Sequence, residues 1–216
     1  MANAAHSDPL PSWNDTAAKR SILAFVRAVT DRTGSDYVAP AARIAVFDND
    51  GTLWSEQPLY IQLVFALDRV KALAPKHPEW RITQPFQAVL ENDTKRLGAA
   101  GVKGLLELVV ATHAGMTTDE FERIGKDWFA SAKHPRFKRP YTDMAFCPMV
   151  ELLGHLRANG FKTYIVSGGG IEFMRVIAEE LYGIAPDQVI GSSGKLRYEI
   201  RDSVPVIVRL PESRLL

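Results

Sequence analysis

Residues 43–54 read RIAVFDNDGTLW. Ile44 to Phe47 suit a buried strand, and that strand runs straight into two aspartates one residue apart, Asp48 and Asp50. Burying charge is expensive. An open α/β sheet avoids the cost, because the carboxyl ends of its strands face a crevice where ligands bind. Side chains of an extended segment alternate in direction, so Asp48 and Asp50 point one way and Asn49 the other. Two carboxylates this close repel each other. The repulsion eases if a divalent cation lies between them and a substrate, or if one of them is protonated. Gly51 suits a tight turn. In such a crevice Asp48 can serve as a nucleophile, and Asp50 as a general acid and then a base.

A second strand end lies downstream. Pro148 fits the first turn of a helix carrying Met149, Val150, Leu152, Leu153 and Leu156, with Gly160 after it. Lys162 to Val166 reads as a short strand that meets Ser167-Gly168-Gly169-Gly170. Ser167 offers a hydroxyl. The glycines let backbone N–H groups approach a ligand closely at the start of the next helix, 171–182, a natural place for phosphate. Gly183 stops that helix, and 188–190 reads as a third strand. Alternating strands and helices imply a parallel sheet with right-handed crossovers. The final segments KLRYEI and VPVIVRL, separated by RDS, read as a β-hairpin.

Ahead of the first strand, Ile22, Phe25, Val26 and Val29 share one helical face, with Asn14 or Asp15 as the cap and Gly34 as the stop. Between the two strand ends the pattern is helical and strand-poor. Apolar stretches run over 59–73, 86–97 and 105–110, and Thr117 and Glu120 have capping-box spacing ahead of Phe121, Ile124 and Trp128. The expected architecture is an α/β core with a Rossmann-like parallel sheet, 1–54 and 143–216, interrupted after its first strand by a helical cap, 55–142.

The chain has 216 residues and a net charge of +1, so global charge points to neither nucleic acid nor membrane. No apolar run approaches the roughly 20 residues needed to cross a bilayer. The start, MANAAHSDPLPSW, lacks an apolar h-region. The expected location is cytoplasmic, with export the alternative where a leader peptide has been removed. One cysteine, Cys147, forms neither an internal disulfide nor a CxxC site and is expected in a core. His113 and His134 lack metal-ligand spacing and are expected on the surface or in the cap.

FDNDGTLW, 47–54, resembles the first motif of the haloacid dehalogenase-like hydrolase superfamily, DxDGT behind an apolar strand, and IVSGGG, 165–170, resembles its second. The stretch from Ala42 to Ile190 resembles the phosphoserine-phosphatase-like branch. The resemblance implies a Mg²⁺-dependent phosphatase acting on a small phosphorylated metabolite. Asp48 would attack phosphorus and form an aspartyl-phosphate. Asp50 would protonate the leaving oxygen and then activate water. Asp48, with the backbone carbonyl of Asp50, would hold Mg²⁺. Ser167, Gly168, Gly169 and Thr52 would receive the phosphoryl group. The aspartate at position 50 implies a phosphatase rather than a dehalogenase, since a halide leaves without a proton. Glu56, Arg136 and Arg139 are candidates for contacting the rest of the substrate. A phosphate-ligand-binding or interaction module without catalysis, and a phosphotransferase using the same aspartate, are the alternative functions.

Two superfamily motifs do not emerge: a late acidic pair, and a lysine other than Lys195, which is expected on the surface. The expectation is therefore that the C-terminal part of the core is missing. The IAVF strand would then be an apolar sheet edge open to self-association.

Overall fold

The computed structural model describes residues 8–214. Strand β1 (Ile44–Phe47) pairs in parallel with β2 (Lys162–Gly170), Phe47 opposite Ile165. Beyond β2 lies β3 (Val189–Arg201), parallel to it, and then β4 (Val204–Arg214), antiparallel to β3. The sheet order is β1-β2-β3-β4, which leaves β1 at an edge. Ile44 and Val46 are each 57% exposed there, as the sequence led us to expect of IAVF.

Two of the expected strands are one. The Gly191-Ser-Ser-Gly194 stretch reads as a break between a third strand and a hairpin, yet backbone pairing continues through it, Gly170 with Ser192 and Gly194 with Ser213. β3 thus serves the parallel sheet with its first residues and the hairpin with its last. Asp202 and Ser203, both at positive φ, make a two-residue turn whose twist matches the strands it joins. β2 likewise runs on past Val166 to Gly170, with a register irregularity between the two.

Gly191 is required at its position. A Cβ there would sit 2.5 Å from Met174 Cε, 2.6 Å from the Gly169 carbonyl oxygen and 3.1 Å from Ile171 Cα. Two of those atoms are backbone and cannot swing aside. Gly191→Ala is expected to destabilise the fold by about 2–3 kcal/mol, a fall in Tm of about 5–10 °C for a chain of this size. Gly154→Ala, inside α7 with nothing within 4 Å of its Cβ, is the control and leaves the melt level or raises it by about 2–3 °C, since Ala favours a helix interior over Gly.

Helices surround this sheet. α1 (Ala17–Thr30) begins after Thr16 rather than at Asn14 or Asp15, and Thr16 makes no side-chain cap. It ends before Gly34 because Asp31 leaves the helix and accepts from the Thr33 N–H and hydroxyl. α2 (Ile61–Leu73), α3 (Phe86–Leu90), α4 (Thr94–Ala99), α5 (Gly101–His113) and α6 (Thr118–Ser131) follow β1. The 86–97 stretch is two helices, broken where Asn92 takes positive φ and Asp93 caps α4 by accepting from the Arg96 N–H at 2.9 Å. The Thr117–Glu120 capping box of α6 is formed as expected. α7 (Cys147–Ala158), with Pro148 in its first turn, leads into β2, and α8 (Ile171–Tyr182) follows it. Cys147 is exposed rather than in a core. As the first residue of α7 it faces outward, beside the Ser12 hydroxyl at 3.2 Å.

An aromatic cluster joins the helices that follow β1 to the sheet. Phe65 of α2 and Phe129 of α6 each lie 5.2 Å, ring to ring, from Phe173 of α8. Trp54 packs beside Phe129 at 6.2 Å. β4 is tied to the α5–α6 connection by two backbone hydrogen bonds: Gly115 N–H to the Arg209 carbonyl, and Arg209 N–H to the Met116 carbonyl. Among the described residues no helix is long and apolar enough to cross a membrane.

Candidate active site

A cavity of about 570 Å³ opens where β1 and β2 end, and Asp48, Asp50, Ser167, Gly168, Gly169 and Gly170 all line it. The loop after β1 is organised by Asn49. Its carbonyl accepts from the backbone N–H groups of Thr52, Leu53 and Trp54, and its side chain is buried. Asn49 therefore points inward while Asp48 and Asp50 face the cavity, the alternation that the sequence implied. Gly51, at φ 74°, turns the chain and donates its N–H to the Trp54 carbonyl. A side chain at Gly51 would meet Glu56, whose Oε2 lies 2.8 Å from the Cβ position. That places the Glu56 carboxylate against the same turn.

The two aspartates sit in different environments. Asp48 is exposed and its Oδ1 accepts from the Asn49 N–H at 2.7 Å. Asp50 is recessed, and its Oδ1 accepts from Trp54 Nε1 at 2.7 Å. Burial holds the Asp50 carboxyl above the ordinary carboxylate range. The Trp54 hydrogen bond opposes that shift, and the nearby charges of Asp48 and Glu56 add to it. One carboxylate thus stays open to a reacting partner while its neighbour is biased to carry a proton. Trp54 could be read from the sequence only as an apolar residue of the motif. Its role comes from the turn that brings its indole back over Asp50.

At the second strand end, Ser167 is almost buried and its hydroxyl accepts from the Gly169 N–H at 3.3 Å. The Gly170 N–H donates to Gln62 Oε1 at 2.7 Å. Gln62, in the first turn of α2, is a site residue that sequence reasoning missed, since nothing local marks it. Its oxygen shows that the Gly170 amide can deliver a hydrogen bond to an acceptor in the cavity, at the N-terminus of twelve-residue α8. Thr52 belongs to the turn after β1, and its described hydrogen bond is from its N–H to Asn49.

The other candidates lie elsewhere. Arg139 pairs with Asp143 at 3.1 Å, and Arg136 lies over the Phe137 ring. Neither is among the residues that line the cavity. Lys195 is a surface residue paired with Glu212. Of the two alternatives, surface or cap, His113 and His134 are both buried, within 55–142. His134 Nδ1 accepts from two backbone N–H groups, which leaves Nε2 to donate to the Gln57 carbonyl at 2.7 Å. His113 lines the cavity, stacked on Phe65. Burial, helped by the charges of Arg209 and Arg69, holds its imidazole neutral with a pKa of about 3. Arg209 of β4 lies over Phe121 and pairs with Glu172 at 3.3 Å, both side chains nearly buried.

The model of the haloacid dehalogenase-like hydrolases matches residues 45–206. The chain belongs to that family. As a haloacid dehalogenase-like hydrolase it carries both motifs, 47–54 and 165–170, inside the matched region. Among solved structures, a conserved protein of unknown function from Anaerococcus prevotii is 17% identical, with a TM-score of 0.54 over 90% of this chain and 70% of that one. A protein of unknown function from Bordetella pertussis is 18% identical over 80% of this chain and 66% of that one, with a TM-score of 0.47. A phosphoserine phosphohydrolase-like protein from Francisella tularensis is 17% identical over 72% and 60%, with a TM-score of 0.38. The chain thus spans between 60% and 70% of the length of these three. No curated protein matches it.

A family metal can be tested against the donors present. Among the described residues no group of three or more His, Cys, Asp and Glu side chains is placed to hold a metal ion, so a zinc-type cage is not built. Mg²⁺ asks for less: one or two carboxylates, the remainder being water and substrate phosphate. The open carboxylate of Asp48, beside Asp50 with no cation paired to either among the described residues, fits that requirement.

Proposed function

We propose that this chain is a phosphomonoester hydrolase that works through an aspartyl-phosphate on Asp48, with a small phosphorylated metabolite as substrate. The observation that carries the reading is the division between the carboxylates: an open Asp48, and an Asp50 recessed under Trp54 with its pKa raised.

Asp48 Oδ attacks phosphorus and the ester oxygen leaves, taking the Asp50 proton as its P–O bond breaks. Asp50, now a carboxylate, removes a proton from the water that attacks the acyl phosphate. Phosphate departs and both aspartates are regenerated. Ser167 and the Gly168–Gly170 amides receive phosphoryl oxygens at the start of α8. Trp54 orients Asp50 through its indole N–H. Mg²⁺, held by Asp48 and the Asp50 carbonyl, would neutralise phosphoryl charge that these residues do not balance.

The test is hydrolysis of an aryl phosphate with and without metal. Activity is expected to need Mg²⁺, to vanish with EDTA and to return when Mg²⁺ is restored. Hydrolysis indifferent to EDTA overturns the reading.

A further inference from the structure

The cavity is far larger than a phosphate needs, and its wall has both polar and apolar stretches. Asp48, Asp50, Gln62, Ser167 and Ser192 gather at the strand ends. Gln62 reaches the Gly170 amide, and the Ser192 hydroxyl donates to the Gly168 carbonyl at 2.8 Å. Another part of the wall is a face of α5. Leu106, Val109 and Val110 line the cavity and are only half-buried, while Leu108 of the same helix is fully buried among Val70, Trp80 and Phe86. α5 is therefore apolar on two faces, one spent on the fold and one turned to the cavity. Leu210 and Pro211 of β4 add to the apolar wall. The charges in this region already answer each other: Arg209 pairs with Glu172, and Glu212 with Lys195.

Pockets of about 300–1,000 Å³ enclose whole small molecules, so a ligand with its phosphate at the strand ends places its remainder within reach of α5. Set against Leu106, Val109 and Val110, a polyol or amino-acid remainder would lose water from its hydroxyl or charged groups without gaining partners from those three side chains. An alkyl or aryl remainder loses nothing there.

We propose that this cavity takes a phosphate-headed ligand with an apolar tail, the tail lying against Leu106, Val109 and Val110. The assignment of the phosphate end rests on the phosphatase reading above, and the test separates the two. Alkylphosphonates have a C–P bond that the proposed chemistry does not cleave, so they report binding alone. Titrated calorimetrically into the full chain with Mg²⁺, methyl-, butyl- and hexylphosphonate are expected to bind progressively tighter, by about fourfold per methylene. Leu106→Gln, and the near-isosteric Val109→Thr as a second variant that keeps the packing volume, reduce that gain. Among unactivated alkyl esters, hexyl phosphate is hydrolysed with higher kcat/KM than ethyl phosphate, and than glycerol 3-phosphate despite the more acidic leaving group of the latter. Binding that rises with chain length, while no ester is hydrolysed, removes the phosphatase reading and upholds the apolar subsite. Equal affinity at every length, no binding at any length, a length dependence untouched in both variants, or a preference for glycerol 3-phosphate overturns the proposal.

Discussion

Asp48→Asn is expected to lose phosphomonoester turnover by about 10,000-fold or more and never to carry a covalent phosphate. An amide does not form the acyl phosphate, and no neighbour replaces it. Asp50 is recessed and its oxygen is engaged by Trp54, while Glu56 sits against the Gly51 turn and is not among the residues that line the cavity. The measurement is mass spectrometry of protein quenched during turnover, searching for one added phosphate on the peptide that contains residue 48. Phosphate remaining on that peptide in Asp48→Asn, or an unchanged rate, would show the nucleophile to be another group.

Asp50→Asn separates the two steps. With an activated aryl phosphate, whose leaving group needs little protonation, the first step persists. The attacking water has lost its base, so the second step slows by about 10²–10⁴-fold and phospho-enzyme accumulates where wild type shows little. The raised pKa of Asp50 adds a signature in pH. Wild-type kcat/KM for an unactivated alkyl ester falls as the pH rises through that pKa, because the acid is lost, and Asp50→Asn lacks this limb. Stability moves in a defined direction too. A carboxyl whose pKa is raised in the fold contributes fully below its ordinary value of 3.8 and loses that contribution as the pH rises through the folded value. Asp50→Asn, neutral throughout, is therefore expected to melt above wild type at pH 7 and level with it below pH 4. A variant that melts lower at neutral pH, with no phospho-enzyme, would place Asp50 in a structural role alone.

What the sequence made legible was local. Asp48, Asn49 and Asp50 could be given directions because strand alternation is a property of three consecutive residues. The Thr117–Glu120 cap was readable for the same reason. Gly191 to Gly194 misled because two glycines and two serines have the composition of a loop, while strand pairing on both sides holds them extended. Gln62 and the indole of Trp54 become site residues only when distant segments meet, and their own neighbours in sequence carry no sign of it. Whether His113 and His134 would be exposed or buried within 55–142 was not legible, because a neutral imidazole can be buried at modest cost, by stacking on Phe65 in one case and by hydrogen bonds to backbone in the other.

The double service of β3 has a consequence for the order in which the chain folds. Its hairpin with β4 closes over two residues, a contact available within microseconds. The pairing of Ile44 with Lys162 must instead close a loop of about 120 residues. Between these extremes, β3 meets β2 across a single helix. The free energy of loop closure therefore favours assembly from the C-terminal side, with the β3–β4 ribbon first, β2 and α8 next, and β1 last. The strand that leads into both aspartates is then the final one to dock, so chemical competence arrives only when the rest of the sheet is already in place.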